Sequence, residues 1–245
     1  MGHIGRLEPD LQSPNVGNLR LKLLSSRLDV LGPVHKGIRN ALSSLAFAFG
    51  RVDFSKFNPS IIRPLCDELQ TLWKILHVHA EVEDKFLFPL VHDVDSELFT
   101  QLNSEHTSMD PIMDEIENLA GMLRTKSETV TITGIEFVRK LNNFIALYFV
   151  HLMREELEIL PQLWDHYDDK KLMEAASKMS GASPPELAMN FLKYYLPAVN
   201  ESERATFLAG MKNRVPKAAF KGIKDIAEAT LTKEELMSLQ PVFRD

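Results

Sequence analysis

Apolar residues along this chain recur in steps of three and four, and no segment alternates with period two, so the pattern predicts an almost wholly α-helical protein. Glycine and proline are sparse and fall in clusters between the helices. A short helical segment over about 17–30 ends at Gly32-Pro33, and Pro33 suits the first turn of the next helix because its missing N–H is not needed there. That helix runs to about Gly50. After the loop RVDFSKFNPS a long helix is predicted over 61–92, with Pro64 in its first turn. The third spans about 96–121 with a kink at Pro111, and the polar loop TKSETVTITG leads to a fourth over 134–168. From about 170 the helices shorten, broken at Leu196-Pro197, Val215-Pro216 and Leu231-Thr232. The expected organisation is an N-terminal segment (1–30), a bundle of four long helices (31–168) and a C-terminal helical extension packed on it (169–245).

Each long helix carries an apolar stripe, and each stripe contains a histidine. The stripes are His35, Ile38, Leu42, Leu45, Phe49; Leu72, Leu76, His79, Glu83, Phe86, Leu90; Phe99, Leu102, His106, Met109, Met113, Ile116; and Phe137, Leu141, Phe144, Tyr148, His151, Glu155. One histidine on such a stripe is usually a core residue whose ring nitrogens find partners. A glutamate is different, because an ionised carboxylate is costly to bury without a cation. Two inward glutamates, each one turn beyond a histidine, point to metal ions.

Repetition strengthens that reading. His79-Ala-Glu-Val-Glu83-Asp84 and His151-Leu-Met-Arg-Glu155-Glu156 share the pattern H-x-x-x-E-[D/E], and each is followed five residues after its acidic pair by a proline, Pro89 or Pro161. His35 and His106 precede these pairs by 44 and 45 residues, so the chain reads as two helical hairpins of one design. Residues four apart share a helix face, and the pooled set of four His and two Glu suits two iron or manganese ions bridged by carboxylate. Nitrogen and oxygen donors do not exclude zinc. His77 and Glu81 offer a rival pair in another register, rotated by about 200° from the first; the stripe favours His79 and Glu83 and leaves His77 behind the ligands or at the surface.

Composition narrows the alternatives. The 245 residues hold 28 Lys+Arg against 34 Asp+Glu, for a net charge of −6, and one cysteine. Cys66 has no partner for a disulfide and no companions for a thiolate metal site; a buried inert thiol is expected. The acidic balance and the lack of a long basic run argue against a nucleic-acid partner. No apolar run reaches membrane-spanning length, and the N-terminus lacks a secretory apolar segment. A cytoplasmic or nuclear protein is expected.

With the ligand pattern in view, residues 30–165 resemble the hemerythrin-like, or HHE cation-binding, family. The resemblance implies an up-down four-helix bundle around a non-haem di-iron centre, bridged by oxygen or carboxylate, that takes dioxygen as a ligand. It implies that His35 and His79 serve one iron, that His106 and His151 serve the other, and that Glu83 and Glu155 bridge. Two features depart from the oxygen-carrying hemerythrins. The third helix has His106 followed by Asp110 in place of two histidines one turn apart, and the fourth-helix carboxylate follows its histidine by four residues instead of five. Both look like the intracellular iron-sensing branch, which includes the plant BRUTUS-type proteins, and the segment FLKYYLPAVNESERATFLAGM is loosely similar to the stretch C-terminal to such domains in BRUTUS-like chains. No F-box or RING zinc ligands are present, so ligase activity does not carry over.

Asp110 is a further candidate ligand, and Tyr148 a hydrogen-bond donor near the metals. Asp84 and Glu156 either face solvent or orient a ligand imidazole through its second nitrogen; Met109 and Met113 read as core, and His3, His92 and His166 have no recommending spacing. The leading expectation is iron and dioxygen binding or sensing. The alternatives are a di-iron enzyme acting on peroxide or nitric oxide, and an interaction module whose C-terminal helices dock a partner while the metal is structural.

Overall fold

The computed structural model describes residues 27–244. Most of the segment expected to be helical over 17–30, and His3, lie outside the described residues; residues 27–31, at its end, are not helical. Among the described residues there is no strand.

The helices are α1 (Gly32–Gly50), α2 (Pro59–Phe86), α3 (Phe88–His92), α4 (Ser96–Leu123) and α5 (Val130–Arg154). A π-helical turn, Glu155–Ile159, joins α5 to α6 (Leu160–His166). After it come α7 (Asp169–Ala182), α8 (Pro185–Ala198), α9 (Glu201–Arg214), α10 (Lys217–Thr230), α11 (Lys233–Ser238) and α12 (Gln240–Phe243).

Local chemistry sets the boundaries. Asn58 caps α2 by accepting from the Ser60 amide, with Pro59 at the first position, where no N–H is required. Asp95 caps α4 through the Glu97 and Leu98 amides. The helix expected over 61–92 breaks at Leu87, because Pro89 has no N–H to continue the ladder; Leu87 and Phe88 then turn into the core in place of Phe86 and Leu90. The fourth helix starts four residues earlier than expected. Its β-branched first turn carries only a small helical penalty, and Val130, Thr133 and Phe137 are buried there. The π turn interrupts what reads as one helix over 134–168: Leu160 N–H reaches back to Glu155 O, one residue further than in an α-helix.

The chain divides into two compact units. The first contains α1 from Leu42 onward and the helices through Ser183. Its cross-links run in antiparallel register: Cys66 to Ala120, Gln70 to Glu117 and His77 to Asp110 between α2 and α4, then Glu115 to Lys140 and Glu105 to His151 between α4 and α5. Phe49 near the end of α1 meets Phe137 near the start of α5, ring centroids 4.5 Å apart. The loop after α1 also closes on α5, for a Cβ on Gly134 would fall 2.2 Å from the Phe54 ring. Four helices therefore run alternately up and down around an apolar core. A second apolar cluster in this unit gathers Leu87, Phe88, Leu102, Ile159, Leu163 and Trp164, and Arg27 ties onto the carbonyls of Trp164 and Tyr167.

The second unit holds Gly32–Ala41 of α1 and the helices from Pro184. Leu192, Leu196, Leu208, Phe220, Ile223 and Ala227 form its core. Buried Arg204 donates to the Leu196 and Val199 carbonyls and to Glu235, which satisfies the end of α8. Capping boxes at Asn200/Glu203 and Thr232/Glu235 start α9 and α11. The α1 segment is held by Lys36 to Glu203 and by Asn40 to the Tyr194 carbonyl. No helix of the described residues is long and apolar enough to cross a membrane.

Candidate metal centre

The antiparallel register brings the last turns of α2, the middle of α4 and the end of α5 to one level of the bundle. On α2, His79 Nε2 lies 3.3 Å from Glu83 Oε2, one turn on. The same spacing on α5 places His151 Nε2 3.3 Å from Glu155 Oε1. From α4, His106 Nε2 stands 3.0 Å from His151 Nε2, 3.8 Å from Glu155 Oε1 and 4.0 Å from Glu83 Oε2. One ligand atom each from His79, Glu83 and Glu155 lies within 4.8 Å of the others, and so does one each from His106, His151 and Glu155. Both glutamates are 0% exposed. The π turn begins at Glu155, so the altered ladder sits at the residue common to both groups.

The outward nitrogens of two rings are engaged by carboxylates. His106 Nδ1 is 3.0 Å from Asp84 Oδ1, and His151 Nδ1 is 2.9 Å from Glu105 Oε2. A carboxylate can only accept there, so the hydrogen sits on each Nδ1 and each Nε2 turns its lone pair inward. Phe88 stacks on the His106 ring, 5.1 Å between centroids with 12° between planes. Burial pushes His151 below the ordinary imidazole value, opposed by the Glu105 hydrogen bond, and so favours the neutral ring that a metal requires. Burial, with the Glu83 charge next, pushes Glu155 well above the usual carboxylate range. The Tyr148 phenol is raised well above its ordinary value by burial, then by Glu83 and Glu155, and its ring lies 5.7 Å from that of His151.

His35 is fully buried on α1, in the segment belonging to the second unit. Asp110 and His77 face each other at the surface, 3.5 Å apart, with side chains 60% and 51% exposed, and His77 Nδ1 donates to the Trp73 carbonyl. Asp84 takes the orienting position. Met109 and Met113 are core, and Cys66 is buried against the Ala120 carbonyl. His92 is exposed beside Phe99, and His166 Nδ1 bonds the Gln162 carbonyl of its own helix.

Glu105 and the π turn are not anticipated by helical periodicity. Glu105 is the direct neighbour of His106 and lies on the flank of the inward stripe, as Asp84 is the neighbour of Glu83. An acid flanking an inward ligand, with Arg154 three residues after His151 to anchor it, is the signal the sequence offers.

The donor set fits a cation. Two ligands held about 2.1 Å from one ion at right to tetrahedral angles stand about 3.0–3.4 Å apart, and the pairs His106–His151, His79–Glu83 and His151–Glu155 are separated by 3.0, 3.3 and 3.3 Å. The two Nε2 atoms stand 3.0 Å apart, close enough for one cation to be bound by both. The fold and the cluster thus define a helical bundle with a His/carboxylate cation-binding centre. The family model of the hemerythrin HHE cation-binding domain matches residues 27–163, more than half of the chain. The chain belongs to the hemerythrin family, whose domain binds metal cations. Comparison with the curated proteins and with the solved structures gave no match.

Proposed function

We propose that the chain is a non-haem di-iron protein that binds iron and dioxygen, as a carrier or sensor of either. The observation that carries this reading is the convergence of three imidazole Nε2 atoms on two fully buried carboxylates, with the opposite nitrogens of His106 and His151 bonded to carboxylates behind them. His79, Glu83, His106, His151 and Glu155 would hold the iron. His35 is the fourth imidazole. It precedes His79 by 44 residues, as His106 precedes His151 by 45.

Iron held there would supply a ferrous–ferric couple able to take a small ligand. The protein orients the imidazoles, supplies the bridging charge and excludes water with Phe88, Phe144, Tyr148 and Leu102, all buried. Asp110, paired with His77 at the surface, is not assigned to the metals. The His151–Glu155 spacing of four and the single third-helix histidine support the iron-sensing branch, in which metal loading is linked to bundle stability because carboxylates buried without a cation are costly.

The test is anaerobic reconstitution with ferrous iron, followed by oxygen titration under optical spectroscopy. Stoichiometric oxygen uptake with a new charge-transfer band, and without sustained consumption of peroxide, is expected. Multiple turnovers of peroxide or nitric oxide, abolished in Glu155→Ala, would make the chain an enzyme and overturn the carrier or sensor reading.

A further inference from the structure

We infer that Glu105 is a positioning residue that sets the metal-binding tautomer of His151, with Arg154 as its anchor; the inference rests on the metal-centre reading and deepens it. The geometry is a three-part chain running from the surface inward. Arg154 donates to Glu105 Oε1 from one side and, through Nε, to Glu158 on the other, 3.4 Å away. Its second terminal nitrogen reaches Gln101 Oε1 at 3.4 Å. The other oxygen of Glu105 accepts from His151 Nδ1 at 2.9 Å. Glu105 is 23% exposed while His151 is 1% exposed, so the carboxylate stands at the boundary between solvent and the site.

A neutral imidazole carries its hydrogen on either nitrogen, and the bond made by one nitrogen decides what the other presents. With Glu105 accepting at Nδ1, His151 presents a lone pair at Nε2, facing His106 Nε2 and Glu155. Without Glu105, a hydrogen on Nε2 finds an acceptor oxygen in Glu155, 3.3 Å away, and the ring turns its donor toward the position a cation needs. The guanidinium holds Glu105 in place and draws charge from it, so the carboxylate orients the ring without removing its proton. Glu105 and His106 are consecutive on α4, so one turn of that helix supplies a ligand and the residue that aligns the facing ligand on α5. Removing such an outer carboxylate costs about 10- to 100-fold in metal affinity.

The test combines nitrogen-15 NMR of His151 in the metal-free chain with zinc affinity measured by competition against a chromophoric chelator. The unaltered chain shows an Nδ1–H tautomer. Glu105→Ala moves the hydrogen to Nε2 and weakens zinc by about 10- to 100-fold. Arg154→Ala, which removes the anchor but leaves the acceptor, keeps the tautomer and loses less affinity than Glu105→Ala. A carboxylate that merely ties α4 to α5 would leave the tautomer unchanged in every variant and make Arg154→Ala as damaging as Glu105→Ala; that pattern overturns the inference. Should Glu105→Ala fail to fold, an Nε2–H tautomer in the unaltered chain overturns it alone. Absence of zinc binding by the unaltered chain would overturn the metal-centre reading and this inference with it, whereas binding indifferent to Glu105 would overturn only the inference.

Discussion

Phe88 links the packing of the first unit to the geometry of its metal centre, and its truncation gives a measurable consequence for each. The ring is fully buried in the cluster of Leu87, Leu102, Ile159 and Leu163, meets Phe99 edge-on at 6.4 Å, and covers the His106 imidazole. Phe88→Ala loses about 2 kcal/mol of apolar transfer free energy. If about half of the roughly 100 Å³ vacated stays open, the cavity adds about 1 kcal/mol, for a total of about 3 kcal/mol. Phe88→Leu keeps most of the volume and costs less than about 1.5 kcal/mol, but removes the flat surface against which His106 is held. Both tryptophans, Trp73 and Trp164, belong to the first unit, so their fluorescence reports its unfolding separately from the second. With a urea slope of about 2 kcal/mol/M, the midpoint should fall by about 1.5 M in Phe88→Ala and by less than about 0.7 M in Phe88→Leu at unchanged slope. Ferrous-iron affinity should fall in both. A midpoint shift below about 0.5 M for the alanine variant, or full iron affinity in the leucine variant, would refute the reasoning.

Burial raises the Cys66 thiol to about 11. Labelling by a disulfide reagent at pH 8 should be at least about 100-fold slower in the native chain than in urea, since only the thiolate reacts; equal rates would contradict the burial. Gly134→Ala should destabilise the first unit by about 1–3 kcal/mol, because the new Cβ meets the Phe54 ring at 2.2 Å. Gly121→Ala, with nothing within 4 Å, should stabilise it by up to about 1 kcal/mol, and urea midpoints check both signs. Asp95→Ala should remove about 1 kcal/mol at neutral pH. The Asp95 carboxyl is held below its ordinary value of 3.8, first by the Leu98 amide, so this contribution is present above that value and fades as pH falls through the lowered one. A pH series of the variant against the unaltered chain should show the difference closing in acid.

The four long helices are legible in the sequence because each carries one narrow apolar stripe, and the inward stripe of α5 is buried residue for residue from Phe137 to Glu155. His79, Glu83, His106, His151 and Glu155 come together because repeated spacing on antiparallel helices places them at one level. What the sequence conceals depends on partners far along the chain. Glu105 finds His151 across 46 positions, which helical periodicity does not encode. The break at Leu87 and the π turn at Glu155 are each tied to a proline two to six residues on, a local signal that marks the two repeats without saying how the helix responds to it. Asp110 satisfies the right spacing from His106, yet it lies on the outer side of α4 against His77. The division of α1, with its first ten residues grouped with the C-terminal helices, leaves no trace in the hydrophobic pattern, which runs evenly from His35 to Phe49.

The most direct test of the metal centre is the iron content per chain after anaerobic reconstitution with ferrous iron and removal of unbound metal. Two irons per chain, both lost in a folded His79→Ala/His151→Ala variant, is the predicted result. Background iron in the folded unaltered chain, or two irons retained in that variant, would contradict it.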